Sequence, residues 1–133
     1  MITYEEALQM LEGIMDEYPH ELFKDLSGGV IFEEHSKLHP NSRPGRPLYI
    51  MGEYHRDSIG KYITLYYGSF AAVCGHYLPQ DFRERLRHTF SHELRHHMEH
   101  LSGVRTLNKF DDDRMEMYEN GMDISGFKEP PIE

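Results

Sequence analysis

Apolar residues recur every three or four positions in two long segments of the chain, which is the spacing of an amphipathic helix. In segment 3–18 a capping box of Thr3 and Glu6 precedes the apolar stripe. In segment 80–102, Pro79 and Asp81 suit the start of a helix and Gly103 suits its end. The pattern therefore predicts two helices. Their apolar faces consist of Ala7, Leu8, Leu11, Ile14, Met15 and Tyr18 in the first, and Phe82, Leu86, Phe90, Leu94 and Leu101 in the second.

Three other segments, 29–34, 48–55 and 62–70, are rich in β-branched and aromatic residues and predict strands. The short separation between the last two predicts an antiparallel hairpin. The segment 38–47, with three prolines and a glycine, predicts a loop. A short helical turn is expected over 21–26, directly after the first helix.

The remaining segments complete the expected fold. A loop over 103–110 leads to a last helix that begins at the acidic cluster Asp111, Asp112 and Asp113, because acidic residues cap a helix start and favour its dipole. Residues 122–133 are expected to form an irregular tail. The fold class is therefore α+β, with a single domain over 1–133 in which a small, mostly antiparallel sheet packs against a central helix and N- and C-terminal helices flank it.

Composition narrows the function classes. At 133 residues the chain has the length of one domain, and its net charge of −9 argues against a nucleic-acid partner. Cys74 is the only cysteine, so no intramolecular disulfide is possible and a reducing compartment is expected. Neither a signal peptide nor an apolar run of membrane-spanning length is recognisable, so we predict a cytoplasmic protein without a membrane partner.

The second predicted helix carries the sequence His92-Glu93-Leu94-Arg95-His96. Histidines four residues apart lie on one face of a helix, one turn apart, at the reach of a single metal ion. This is the H-E-x-x-H arrangement of zinc metallopeptidases. It predicts one Zn²⁺ ion bound by His92 and His96, a metal-activated water, and Glu93 as the general base of peptide-bond hydrolysis.

A simpler interpretation is a polar helix face. His88 and His100 extend the pair to a ladder of four histidines, and such a ladder can bind metal adventitiously. Within it only His92 is followed by a glutamate, which selects the central pair. His88, His97 and His100 are expected to lie on the surface or to support the ligands rather than to bind the ion.

Catalytic zinc usually has three protein ligands, so a third remains to be found. The extended metzincin pattern is excluded because Glu99 and Ser102 stand where it requires a glycine and a ligand. Better candidates lie at the start of the last predicted helix. Asp112 is preferred, and the alternatives are Asp111, Asp113 and Glu116.

A hydrolase of this kind also needs a donor for the developing oxyanion, and a strand on which to align an extended peptide. Tyr66 or Tyr67 is the candidate donor. The strand 62–70, which comes before the motif helix, is expected to pair with the substrate.

The chain resembles small bacterial metallopeptidase-like proteins, the minimal zincins, in segments 48–54, 66–70, 90–97 and 111–114. The resemblance implies a compact zincin-like fold, a zinc peptidase activity and a peptide or protein substrate. Many members carry a glycine three residues after the second motif histidine and an acidic ligand three residues beyond it. Here Glu99 replaces that glycine and the acidic cluster follows an apparent insertion, so by resemblance Asp112 takes the ligand role.

Two functions without catalysis compete with this hypothesis. In a metal-binding module, a fourth protein ligand, Glu99 or a second aspartate, would close the site to water. In a protein-interaction module with a zincin-like fold, the histidines would bind metal only adventitiously.

Overall fold

The structure is a computed structural model that describes residues 1–103. It contains three α-helices, α1 (Tyr4–Asp16), α2 (Tyr67–Cys74) and α3 (Pro79–Ser102), with a single 3-10 turn at His20–Phe23. Three strands, β1 (Gly29–Glu33), β2 (Gly52–Asp57) and β3 (Gly60–Tyr66), form one sheet. The α+β class is confirmed.

Helix α1 begins as the capping box predicts. The Thr3 hydroxyl accepts a hydrogen bond from the Glu6 backbone N–H at 3.1 Å, and the Glu6 carboxylate accepts one from the Thr3 backbone N–H at 3.0 Å. Both bonds satisfy N–H groups that have no partner inside the helix. The buried face of α1 consists of Ala7, Leu11 and Ile14, at the spacing predicted from the sequence.

The sheet has the order β1-β3-β2 and is mixed. β2 and β3 pair antiparallel from Gly52↔Leu65 to Asp57↔Gly60, which confirms the hairpin. β1 pairs parallel to β3, so the prediction of a mostly antiparallel sheet is wrong. The connection from β1 to β2 is long, so β1 does not have to pair with β2, the next strand in sequence. It pairs instead with the side of β3 that faces away from β2.

Two predicted strand boundaries are also wrong. The chain turns into α2 at Tyr67, although 62–70 was predicted as one strand. A short apolar run does not distinguish a buried strand from a buried helix, and Ala71 and Ala72 favour the helix. At its other end β2 begins only at Gly52, because Leu48 and Ile50 of the predicted strand bond to the backbones of His39 and Lys37 instead.

Helices cover one face of the sheet. Ile63 and Leu65 of β3 are fully buried in a core that all three helices share, and Val30, Phe32 and Tyr54 pack against it from β1 and β2. Helix α3 contributes Phe82, Leu86, Phe90 and Leu94, each at most 2% exposed. Leu101, predicted on the same face, is 45% exposed, so the buried face of α3 ends before the last turn of the helix.

The compact unit that holds the sheet and this core is Met1–Leu94, and a second unit begins at Arg95, inside α3. Helix α3 ends at Ser102, and Gly103 follows with φ 82°, the left-handed conformation that commonly closes a helix. The predicted loop 103–110 beyond Gly103, the last helix and the tail 122–133 lie outside the described residues. The single domain over 1–133 stays a prediction. Over residues 1–103, no helix is both long and apolar enough to cross a membrane.

Candidate metal centre

Helix α3 positions the motif. It runs without a break over 24 residues, so positions 92 and 96 lie one turn apart on the same side. His92 and His96 are half-buried, whereas Glu93 between them is only 7% exposed. The two imidazoles therefore lie at the border of the buried face, and the carboxylate is directed further towards the interior.

These three side chains form a cluster that suits a metal ion. One ligand atom from each of His92, Glu93 and His96 lies within 4.8 Å of the other two. Among residues 1–103 it is the one group of three such side chains that meets this distance. The two imidazole nitrogens are donors that zinc accepts, so the residues present fit the predicted ion, and the Glu93 carboxylate lies beside them as the predicted base.

The burial of the other histidines separates the central pair from the rest of the ladder. His88 and His100, one turn before and one turn after it, are exposed. His97 is fully buried, so it is not a surface residue, and its predicted supporting role stays a prediction. Glu99 of the closed-site alternative is half-buried and does not belong to the cluster.

Strand β2 begins directly against the motif. Gly52 is so close to α3 that a Cβ atom placed on it would lie 3.3 Å from Cγ of Glu93. Among the strands of residues 1–103, β2 pairs with β3 and lies at one end of the sheet order. The start of this edge strand and the predicted general base are therefore in contact.

The two residues that follow α1 bind α3 at three positions before the motif. Glu17 accepts hydrogen bonds from Arg83 at 2.6 Å and from Arg87 at 2.8 Å, and the Tyr18 and Ser91 hydroxyls are hydrogen-bonded. Hydrogen bonds from Arg87 and Arg83 lower the pKa of Glu17 from 4.5 to about 2. The residue before His92 is thus tied to the end of α1.

The two predicted oxyanion donors occupy different places. Tyr66 ends β3, and its hydroxyl donates to Glu53 at 2.5 Å. Burial and this carboxylate raise the pKa of the Tyr66 phenol. Tyr67 lies in α2 rather than on a strand, and its hydroxyl donates to the Ile2 carbonyl at 2.5 Å. Both hydroxyls are engaged in this structure, and the donor role stays a prediction.

Around Glu53 lies a polar cluster that sequence reasoning missed. Its carboxylate accepts a hydrogen bond from Lys37 at 2.8 Å and one from Tyr66, and His55 lies 3.6 Å away. Burial alone would raise the pKa of Glu53, but the Lys37 and Tyr66 hydrogen bonds hold it below its usual value. The alternation of Glu53, His55 and Asp57 along β2 was the available signal, since alternate residues share one face of a strand.

The candidates for a third ligand lie beyond the described part of the chain. Asp112, the preferred candidate, and its alternatives Asp111, Asp113 and Glu116 all lie outside residues 1–103. The described residues thus provide the two predicted histidine ligands and the predicted base, and the third ligand stays a prediction.

Comparison with known proteins finds similarity to solved structures. No family model and no curated protein matches the chain. Among solved structures, a conserved hypothetical protein from Thermus thermophilus is similar, with a TM-score of 0.64 and 32% sequence identity. The match covers 76% of this chain and 98% of that chain.

Proposed function

We propose that this chain, which belongs to the same family as the conserved hypothetical protein from Thermus thermophilus, is a zinc-dependent metallopeptidase with a zincin-like fold. Its substrate is a peptide or a protein. The observation that carries the proposal is the cluster of His92, Glu93 and His96 on one unbroken helix, with their ligand atoms within 4.8 Å of one another.

In this mechanism His92 and His96 hold the zinc ion, with Asp112 as the proposed third ligand. When bound, zinc acts as a Lewis acid towards water and towards the peptide carbonyl. Glu93 takes a proton from the attacking water at its carboxylate and passes it to the leaving amide nitrogen. Because the Glu93 side chain is almost fully buried, bulk water has little access to the carboxylate that carries this proton.

The substrate pairs with β2 in this proposal. β3 was the predicted partner, but it is the central strand, and its backbone is already bonded to both neighbours. β2 lies at the edge of the sheet that residues 1–103 form, and it begins in contact with Glu93. An extended peptide that adds to this edge places its backbone next to the base, and main-chain hydrogen bonds supply affinity with little dependence on sequence.

The test combines metal content with hydrolysis. Protein purified without a His-tag should contain one zinc per chain by elemental analysis, and it should cleave fluorescently labelled casein. His92→Ala should lose the zinc. His88→Ala is the matched control, since His88 is an exposed member of the same ladder, and it should keep the zinc.

Glu93→Gln separates catalysis from metal binding. It should retain zinc and lose at least about 100-fold in turnover, the usual contribution of a positioned general base. Stoichiometric zinc with no cleavage in the wild type would indicate the non-catalytic metal-binding module. Substoichiometric, mixed metals that His88→Ala and His92→Ala reduce equally would indicate the interaction module with adventitious metal.

A further inference from the structure

The geometry points to Gly52 as a positioning residue for Glu93. The bare backbone of this glycine lets the first residue of β2 rest on the stem of the Glu93 side chain. An effect of this contact on catalysis rests on the proposed function. The contact itself is a feature of the structure.

No space remains for a side chain at position 52. A Cβ atom there would lie 2.6 Å from Cδ2 of Leu65 and 3.0 Å from Cγ2 of Thr89, in addition to its 3.3 Å approach to Glu93. These distances are shorter than the 3.5–4.0 Å at which carbon atoms attract each other (about 0.1–0.2 kcal/mol per pair). Leu65, Thr89 and Glu93 are all buried, so none can move into open solvent. The φ angle of Gly52 is not positive, and the need for glycine is therefore purely steric.

The contact confines Glu93 on two sides. Thr89 lies four residues before it, on the same side of α3, and Gly52 lies above both. A glutamate stem held between a neighbouring turn and a strand has few rotamers left, which keeps its carboxylate beside His92 and His96. A general base has to lie within hydrogen-bond reach of the proton that it removes, so a small displacement of this stem reduces turnover.

The same contact sets the distance between the base and the edge strand. Gly52 is the first residue of β2, and the proposed substrate pairs along that strand. A methyl group at position 52 would move β2 and Glu93 apart. We therefore expect Gly52→Ala to lower kcat rather than to raise KM, because the substitution displaces the base from the reacting groups while the backbone of β2 can still pair with the substrate.

Gly28, the residue directly before β1, provides a matched control. A Cβ atom on Gly28 would lie 2.7 Å from Cβ of Tyr62, a clash as severe as the one with Leu65, and its φ is not positive either. No atom of Glu93 is among its close neighbours. Gly28→Ala thus imposes a similar steric strain without pressing on the base.

The experiment uses the full chain with ¹³C-labelled glutamate. The side-chain carboxyl resonance of Glu93, assigned as the one missing in Glu93→Gln, is recorded in zinc-free protein. Gly52→Ala should shift it and Gly28→Ala should leave it in place. In zinc-loaded protein Gly52→Ala should lower kcat on labelled casein by about 10- to 100-fold, with KM and zinc affinity within about twofold of wild type.

An unmoved Glu93 resonance in Gly52→Ala, or an equal loss of kcat in Gly28→Ala, overturns the proposal. The double variant Gly52→Ala/Leu65→Ala removes the most severe clash and provides a folded protein if the single variant does not fold. Its Glu93 resonance should stay shifted, and a return to the wild-type position would show that Gly52 acts only through core packing. If the wild type cleaves nothing, the peptidase proposal fails, while the resonance still decides the role of Gly52.

Discussion

Two glutamates near the start of β2 show how differently one residue type is used. Glu53 follows Gly52 in the strand, and its carboxylate is bound by the Lys37 ammonium and the Tyr66 hydroxyl. Glu93 lies against Gly52 from α3, beside the imidazoles of His92 and His96. The neighbours of Glu53 include a fixed cation that neutralises its charge within the protein. The neighbours of Glu93 are imidazoles that can bind a metal cation. From this difference we propose a structural role for Glu53 and a catalytic role for Glu93.

The largest expected effect is on turnover. Glu53→Gln should keep kcat on labelled casein within about threefold of wild type, whereas Glu93→Gln loses at least about 100-fold. The reason is that Glu53 touches Lys37 and Tyr66 rather than the metal cluster. Steady-state kinetics of both zinc-loaded variants measure the contrast. An equal loss in the two would show that the Glu53 cluster belongs to the catalytic site.

The next effect is on zinc affinity. Asp112→Asn should weaken zinc binding at least about tenfold, because three protein ligands are typical of catalytic zinc. Competition with a chromogenic chelator measures the affinity, and Asp111→Asn, Asp113→Asn and Glu116→Gln serve as matched controls. If one of these weakens binding and Asp112→Asn does not, that residue replaces Asp112 as the third ligand.

A smaller effect concerns stability. Tyr66→Phe removes the hydroxyl that donates to Glu53 and should lower the free energy of unfolding by about 1 kcal/mol. Tyr62→Phe is the control, since its hydroxyl donates to Asp57 in an exposed position, and it should cost less. Urea unfolding monitored by circular dichroism provides both values. A larger loss in Tyr62→Phe would contradict the structural importance of the Glu53 cluster.

The smallest effect extends the comparison to a third, exposed carboxylate. The Arg87 and Arg83 hydrogen bonds lower the pKa of Glu17 from 4.5 to about 2 in the folded protein. A carboxylate whose pKa is lowered by folding stabilises the folded protein at every pH above its pKa in the unfolded chain. This contribution is lost as the pH falls from about 4.5 to about 2. The difference in Tm between wild type and Glu17→Gln should therefore shrink over that range. A difference independent of pH would show that the ion pairs contribute nothing.

Local patterns predicted much of the fold and most of the described site. Helix α3 was predicted within one residue of its observed start, and the capping box at Thr3 is present. His92, Glu93 and His96 are neighbours on one helix, so their spacing alone brings them together.

The wrong predictions concern features that depend on contacts between distant parts of the chain. The parallel pairing of β1 with β3 joins residues about 33 positions apart, and no local pattern specifies it. Tyr67 begins a helix within an apolar run that suits a strand as well as a helix, so the local pattern did not give the boundary. The contact between Gly52 and Glu93, and the one between Lys37 and Glu53, likewise could not be read from spacing. Each depends on tertiary packing between separate elements.

The position of β3 at the centre of the sheet has a consequence for the order of folding. Its hairpin partner β2 ends only three residues before β3 begins, so that pairing closes a short loop. β1 is made first during synthesis, but its partner among the strands of residues 1–103 is β3, which emerges after a further 26 residues (34–59). Until then β1 lacks this partner. Closing the longer loop costs more chain entropy, and the hairpin therefore precedes the complete sheet.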